Sequence, residues 1–352
     1  MWSRGKAGDR IKGLPIATDS VENTFEAAAD QSGDLIKLTG SIALAGMLAF
    51  QLEFVINKLV KRWKMESDII NLSTKLRNNR KVSYKIFGNE NENTIVYFHG
   101  FGSSASTFPP DVDIFNKYHI RFIAMNRSGY GESELSRKCS LEDVADDTDE
   151  LLASLGVKNV AVLGYSAGGL YGQIFADKYP NKVSSLNLVS SAIPLSRKTS
   201  KYLPNNWNII RILNSHMPVL SKMFFQRFSK KLNGNLQATL QESIDQMVDA
   251  DRKIALDPIM GEIITKGALE AYHNQGIAVY YDAVALCGIY PEFAPYSTKV
   301  NIWQGGKDKV WTPATSQYLR SKYVNCTYTT FNEEGHLLYL SKWEEIIKAM
   351  FN

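Results

Sequence analysis

A serine flanked by glycines, at the corner between a predicted strand and a predicted helix, constrains the fold of this chain most. The apolar run NVAVL, residues 159–163, predicts a buried strand that leads into Gly164, Ser166 and Gly168, and the following LYGQIFADKY favours a helix. At such a corner the serine hydroxyl projects from the sheet, and glycines avoid the Cβ atoms that would clash with the turn. The sequence therefore predicts an α/β sheet with Ser166 at the end of a strand.

Short β-branched or aromatic runs alternate with helical stretches from residue 81 onward. This pattern is typical of a mostly parallel central sheet flanked by helices. The predicted strands span residues 81–87, 94–98, 121–125, 159–163, 183–189, 300–304 and 326–331. A helix is predicted over residues 141–155, with Ser140 as N-cap and Asp143 three residues later. Together these elements predict an α/β core built from residues 78–191 and 297–352.

The alternation stops in residues 192–296, where the pattern is helical and longer than a simple crossover requires. We predict that this stretch is an inserted helical cap. Its first half is basic, because residues 191–241 contain eight lysines and arginines and no aspartate or glutamate. The interleaved aromatic and methionine side chains allow two interpretations, packing on the sheet or a cationic surface suited to an anionic membrane or to acyl chains.

Two segments are predicted before the core. Residues 1–34 open with a polar, charged stretch, so we expect no cleaved secretory signal there and expect the segment to be disordered. Residues 35–64 predict a hydrophobic N-terminal helix, either inserted in or lying on a membrane, or packed as an amphipathic helix on the domain or a partner. Basic residues follow its apolar part, which favours a cytosolic position for the core. We therefore expect membrane association through a transmembrane helix, or otherwise a cytoplasmic protein.

Composition excludes few classes of function. The net charge is only +4, and no stretch resembles a basic region or a zinc finger, so we expect no nucleic-acid partner. Three scattered cysteines are too few for a disulfide framework, which fits a reducing compartment.

A serine hydroxyl becomes a good nucleophile only when a base takes its proton. Among the five histidines, His336 follows both the last predicted strand and a suitable acid. That acid is Asp308, in a glycine-rich turn after strand 300–304, and Glu333 and Glu334 are the alternatives. We predict a catalytic triad in which Ser166 is the nucleophile, His336 the general base and Asp308 the carboxylate that orients the imidazole.

An acyl-transfer site also needs hydrogen-bond donors for the developing oxyanion. The backbone N–H of Ala167, directly after the predicted nucleophile, is one candidate. The second is the N–H of Phe101, in the glycine-rich loop after strand 94–98. We interpret His99 as a support for that loop and not as a catalytic residue.

Five motifs, HGFGSS, NRSGYGES, GYSAGG, GGKDKVWTP and EGH, occur in the order and approximate spacing of the α/β-hydrolase superfamily. From about residue 81 to the C-terminus the chain resembles its serine-nucleophile members, of the AB hydrolase-1 type. One departure is Asn126, where the family often has aspartate. The resemblance implies the α/β-hydrolase fold and esterase, lipase, thioesterase, peptidase or carbon–carbon hydrolase activity.

The apolar N-terminal segment and the basic cap favour a lipid-like acyl ester as the substrate, such as a monoacylglycerol or a lysophospholipid. Neither a metal nor an organic cofactor is implied. A catalytically silent binding module with the same fold is the alternative to an enzyme.

Overall fold

The computed structural model describes residues 69–88, 93–108, 111–288, 298–323 and 325–351. The predicted segments 1–34 and 35–64 lie outside these residues. The strands are β1 (Ile70–Lys75), β2 (Lys81–Phe87), β3 (Asn93–Phe98), β4 (Ile120–Met125), β5 (Val160–Tyr165), β6 (Val183–Val189), β7 (Lys299–Gly305) and β8 (Cys326–Phe331).

The helices of the core flank these strands in the chain. They are α1 (Val112–Lys117), α2 (Leu141–Ser154), α3 (Ala167–Lys178), α10 (Pro313–Lys322), α11 (Leu338–Ser341) and α12 (Trp343–Phe351). The helices between β6 and β7 are α4 (Asn205–His216), α5 (Pro218–Gly234), α6 (Leu236–Asp245), α7 (Asp249–Leu256), α8 (Pro258–Tyr272) and α9 (Ile277–Leu286).

The strands form one sheet in the order β1-β2-β4-β3-β5-β6-β7-β8. All neighbours from β4 to β8 are parallel, whereas β2 runs antiparallel to β1 and to β4. The predicted α/β fold with a mostly parallel sheet is therefore confirmed. Because β4 lies on one side of β3 and β5 on the other, the chain reverses its direction of sheet growth beside β3, and such a point opens a crevice at the carboxyl ends of the strands.

Burial explains why most strands could be recognised. All six residues of β5 are buried, so both of its faces are apolar and its sequence is a continuous hydrophobic run. The predicted capping box of α2 is confirmed, because the Ser140 hydroxyl accepts from the N–H of Asp143 and the Asp143 carboxylate accepts from the N–H of Ser140.

Strand β1 was not predicted. It pairs antiparallel with β2 at the edge of the sheet, and most of its side chains are exposed. Its sequence, INLSTK, has no apolar run because an edge strand with a solvated surface does not need one. Within the described residues the sheet thus begins at Ile70, before the predicted core boundary at residue 78.

The described part of residues 192–296 is helical, as the pattern predicted. Trp207 of α4 is buried, and its indole N–H donates to the carbonyl oxygen of Val310 after β7, over 3.0 Å. Phe225 of α5 is buried as well. These contacts attach the inserted helices to the loops at the carboxyl edge of the sheet, and the division into a separate cap domain stays a prediction.

The apolar side chains of α4 and α5 divide between the two predicted interpretations. Trp207 and Phe225 pack inward. Seven others, in these helices or in the single residue between them, are exposed to solvent, namely Ile209, Ile212, Met217, Val219, Leu220, Met223 and Phe224. Packing on the sheet therefore accounts for only some of them.

The prediction of a transmembrane helix is corrected by the structure. Across the part of the chain that it describes, no helix is long and apolar enough to cross a membrane. The longest helix in that part is α5, with 17 residues and a polar face rich in lysine, whereas a spanning helix needs about 20 mostly apolar residues. Segment 35–64, which carried the prediction, lies outside the described residues.

Candidate active site

Ser166 occupies a strained corner between β5 and α3. Its φ is +54° and its ψ is −126°, a backbone conformation that residues other than glycine rarely adopt. The first turn of α3 lies so close to the end of β3 that a Cβ on Gly168 would lie 1.9 Å from the carbonyl oxygen of Phe98. A Cβ on Gly164, in β5, would lie 2.6 Å from the Cα of Gly169. Glycine is therefore required on both sides of the serine.

The structure brings the predicted triad residues together at the carboxyl edge of the sheet. Nε2 of His336 lies 3.1 Å from Oγ of Ser166, and Nδ1 of His336 lies 2.9 Å from Oδ2 of Asp308. All three side chains are largely buried. The geometry allows the serine to donate its proton to the imidazole while the carboxylate accepts the proton on the other ring nitrogen.

Asp308 is fixed by its own turn. Its Oδ1 accepts hydrogen bonds from the backbone N–H groups of Val310, at 2.8 Å, and Trp311, at 3.0 Å. This leaves Oδ2 for His336. The alternative acids interact elsewhere, since Glu333 pairs with Lys307 and Glu334 accepts from Ser341 at 2.8 Å.

The electrostatic surroundings of His336 favour its protonated form. Burial alone would lower the pKa of the imidazole, but the charge and the hydrogen bond of Asp308, together with the charge of Asp251, raise that pKa above its ordinary value. A second buried carboxylate therefore acts on the histidine besides its predicted partner.

The loop that carries Phe101 lies beside Ser166. A Cβ on Gly100 would lie 3.4 Å from the Cβ of Ser166. The guanidinium of Arg127 donates to the carbonyl oxygens of His99 and Gly100. Because C=O and N–H of a trans peptide point in opposite directions, holding the Gly100 carbonyl turns the N–H of Phe101 away from Arg127. Among the described residues, no acceptor is found for the N–H of Phe101 or of Ala167.

His99 supports this loop, as interpreted from the sequence. It is fully buried, its Nδ1 lies 3.0 Å from the carbonyl oxygen of Gly100, and its Nε2 accepts from the backbone N–H of Arg127. Burial and the charge of Arg127 hold the pKa of the imidazole well below its ordinary value, so the ring is neutral.

Arg127 connects the loop to the inserted helices. It forms an ion pair of 2.7 Å with Asp282 of α9, and both side chains are 3% exposed. Asp282 also accepts from the hydroxyls of Tyr130 and Tyr171. A signal for this cluster was present in the sequence, because Asp282 is the one charged residue in the apolar stretch IAVYYDAVAL and a buried carboxylate needs a partner.

Trp311 is a further site residue that sequence reasoning missed. Its indole Nε1 lies 3.1 Å from Oγ of Ser166, and the side chain is fully buried. It stacks on Trp207 of α4 with 4.5 Å between ring centroids. Trp311 follows Asp308 by three residues in the sequence, but no sequence pattern indicated that its indole would contact the hydroxyl of Ser166.

Comparison with known proteins agrees with this architecture. Residues 93–342 match the family described as alpha/beta hydrolase fold. The chain belongs to the α/β hydrolase fold family. In the part of it that the structure describes, no group of three or more His, Cys, Asp or Glu side chains could hold a metal ion.

Relatives in this family differ in the activities that they are named for. Proline iminopeptidase PfmaB of Pestalotiopsis fici is 22% identical over 78% of this chain and 95% of its own length. Lipase 1 of Psychrobacter immobilis is 32% identical over 38% of this chain and 43% of its own. The crystal structure of the enol-lactonase from Burkholderia xenovorans LB400 has a TM-score of 0.59 at 17% identity, covering 79% of this chain and 97% of that one. Family membership and these relatives support a hydrolase.

Proposed function

We propose that the chain is a serine hydrolase that cleaves a carboxylic ester through an acyl-enzyme on Ser166. The observation that carries this proposal is the continuous hydrogen-bonded path from Asp308 through His336 to Ser166, with distances of 2.9 and 3.1 Å. A fold that only bound a ligand would have no chemical need for this alignment.

The proposed reaction has two halves. Oγ of Ser166 attacks the ester carbonyl carbon while Nε2 of His336 takes the hydroxyl proton, and collapse of the tetrahedral intermediate breaks the C–O bond to the alcohol, which leaves with that proton. A water molecule then gives a proton to His336 and attacks the acyl carbon. The bond to Oγ breaks, Ser166 regains the proton, and the carboxylic acid is released.

The oxyanion of both intermediates is assigned to the N–H groups of Phe101 and Ala167. Two features support this assignment. Arg127 holds the Gly100 carbonyl on the opposite side of the Phe101 peptide, and Ala167 is the first residue of α3, where backbone N–H groups are unpaired and the helix dipole favours negative charge.

Aromatic side chains next to the oxyanion loop favour an apolar acyl group in the substrate. Phe101 contacts Trp207 edge-to-face, with 5.4 Å between ring centroids, and contacts Phe225 at 5.8 Å. Ligand pockets lined by such rings gain most of their affinity from apolar surface. We therefore favour a long-chain acyl ester of the monoacylglycerol or lysophospholipid type over a short or charged ester.

The first experiment is labelling of the purified chain with a fluorophosphonate probe. We expect covalent labelling of the wild type and none of Ser166→Ala. Ser185→Ala is a matched control, because Ser185 is also buried in the sheet but lies in β6, where its hydroxyl accepts from Asn187. Labelling that persists in Ser166→Ala, or a folded wild type that is never labelled, would contradict the proposed function.

Substrate class is then tested with p-nitrophenyl esters of increasing acyl length and with proline p-nitroanilide. We expect kcat/KM to rise with acyl length and the anilide to remain intact. Cleavage of the anilide with little ester hydrolysis would instead support a peptidase that uses the same triad.

A further inference from the structure

Asp251 contacts the backbone of His336, the histidine of the proposed triad. It belongs to α7, one of the inserted helices, and is 5% exposed. Its Oδ2 accepts from the backbone N–H of His336 over 2.9 Å, and its Oδ1 accepts from the N–H of Leu337 over 2.7 Å. One carboxylate thus accepts hydrogen bonds from two consecutive backbone N–H groups, one of which belongs to His336 itself.

The loop is shaped to admit this carboxylate. A Cβ on Gly335 would lie 2.4 Å from Oδ1 of Asp251, so a residue with a side chain there would displace it. Within the described part of the chain, no lysine or arginine lies at ion-pair distance from Asp251. Burial raises the pKa of Asp251, and the two N–H groups, together with the imidazole when it is protonated, oppose this by stabilising the carboxylate.

We infer that Asp251 is a positioning residue for the proposed hydrolase: its carboxylate fixes the backbone that carries His336, so that the imidazole stays aligned with Ser166. The inference rests on the proposed function. It gives the inserted helices a part in positioning the histidine, because Asp308 on the loop after β7 binds the imidazole while Asp251 on α7 binds the backbone of the same residue.

Asp251 also acts through its charge. The titratable and charged groups that face this part of the site are Asp308, Asp251, the ring of Tyr165 and His336 itself. Both carboxylates favour the imidazolium, which forms when Ser166 gives up its proton. Removal of one of these charges should lower the pKa of His336.

The test compares Asp251→Asn with Asp249→Asn. Asp249 lies in the same helix but is exposed and forms a surface ion pair with Arg252. The readouts are the second-order rate of fluorophosphonate labelling and the pH dependence of kcat/KM for a p-nitrophenyl ester. For Asp251→Asn we expect labelling to slow by about 10-fold or more, since small misplacement of a reacting group is costly, and the acid limb of the profile to move to lower pH. Asp249→Asn should match the wild type.

Two results would overturn the inference. One is an Asp251→Asn variant with wild-type labelling rate and pH profile. The other is a variant that is less stable, with a smaller active fraction, whose active molecules keep both wild-type values, because Asp251 would then serve the fold alone. If Asp251→Asn behaves like the wild type while Ser166→Ala is no longer labelled, the inference about Asp251 fails but the proposed function stands.

If Asp251→Asn does not fold, Gly335→Ala provides the same test from the other side of the contact. The added methyl group displaces the carboxylate but leaves its charge on α7. Slower labelling at an unchanged acid limb supports positioning by Asp251, and labelling at the wild-type rate contradicts it.

Discussion

The indole N–H of Trp311 donates a hydrogen bond to Oγ of Ser166 over 3.1 Å. The serine oxygen thus accepts from Trp311 while its own proton faces Nε2 of His336. The contact with Trp311 fixes the hydroxyl in one orientation and places a donor on the oxygen that must leave the acyl group in deacylation.

Replacement of Trp311 by phenylalanine should lower kcat about 10-fold, because negative charge on the departing Oγ loses a donor worth about 1.5 kcal/mol. Steady-state hydrolysis of an activated ester measures this, and labelling by the fluorophosphonate should change less. Trp343→Phe is the control, since Trp343 is also buried and its Nε1 has no partner among the described residues. Equal kcat values for the two variants would argue against a role of the Trp311 N–H.

The pH dependence of activity should follow His336. The imidazole must be neutral to act as a base, and Asp308 and Asp251 raise its pKa above the ordinary 6.5 against the opposing effect of burial. Activity should therefore be low at acidic pH and rise through a midpoint above 6.5. A profile of kcat/KM against pH tests this, and a midpoint below 6.5 would mean that burial outweighs the two carboxylates.

Asp308→Asn should lower kcat by about 10⁴-fold, because the amide cannot stabilise the imidazolium and favours the wrong tautomer. The remaining acid limb should shift to lower pH, since one anionic neighbour of His336 is lost. Glu333→Gln is the control, because Glu333 interacts with Lys307 and not with the imidazole. Comparable losses in both variants would point to Glu333 as the orienting acid.

Asp282→Asn should destabilise the fold by about 3–5 kcal/mol, because it leaves the guanidinium of Arg127 buried without a counter-charge. Urea denaturation measures the free energy of unfolding. Glu242→Gln breaks an exposed ion pair with Lys231 and should change that free energy by only about 0.5 kcal/mol. If both variants unfold at the same urea concentration, the buried pair of Arg127 and Asp282 does not stabilise the fold as expected.

Gly168→Ala should abolish labelling of Ser166 or prevent folding, because its Cβ would overlap the carbonyl oxygen of Phe98. Gly234→Ala is matched to it, since Gly234 is also helical but has open space around the position of a Cβ. Alanine there should preserve activity and stabilise the helix by up to about 1 kcal/mol. Wild-type labelling of Gly168→Ala would mean that the corner tolerates a side chain.

Seven of the eight strands, and the placing of Ser166, Asp308 and His336 at one edge of the sheet, could be predicted because their signals are local. β5 is buried on both faces, so it is a continuous apolar run, and Ser166, Asp308 and His336 each follow a recognisable strand. β1 escaped prediction because its side chains are mostly exposed. Its sequence therefore lacks the apolar run that marked the buried strands.

The contacts of Asp251 and Trp311 with the site could not be predicted in the same way. The contact of Asp251 depends on how an inserted helix packs on the loop of His336, and that of Trp311 depends on the fold of the loop after β7. No periodicity within a helix or strand encodes either arrangement. Only Asp282 gave a partial signal, as a charge within an apolar helix, and the sequence did not identify Arg127 as its partner.

Two buried carboxylates of the inserted helices bind the core of the protein, Asp251 on the loop of His336 and Asp282 on Arg127. An outward rigid-body movement of these helices would separate both carboxylates from their buried partners. A buried charge left without a partner costs several kcal/mol. Opening of the site by local rearrangement of side chains, with both carboxylates still paired, avoids this cost. The same contacts make the hinge-like opening of a detached lid an unfavourable route for this chain.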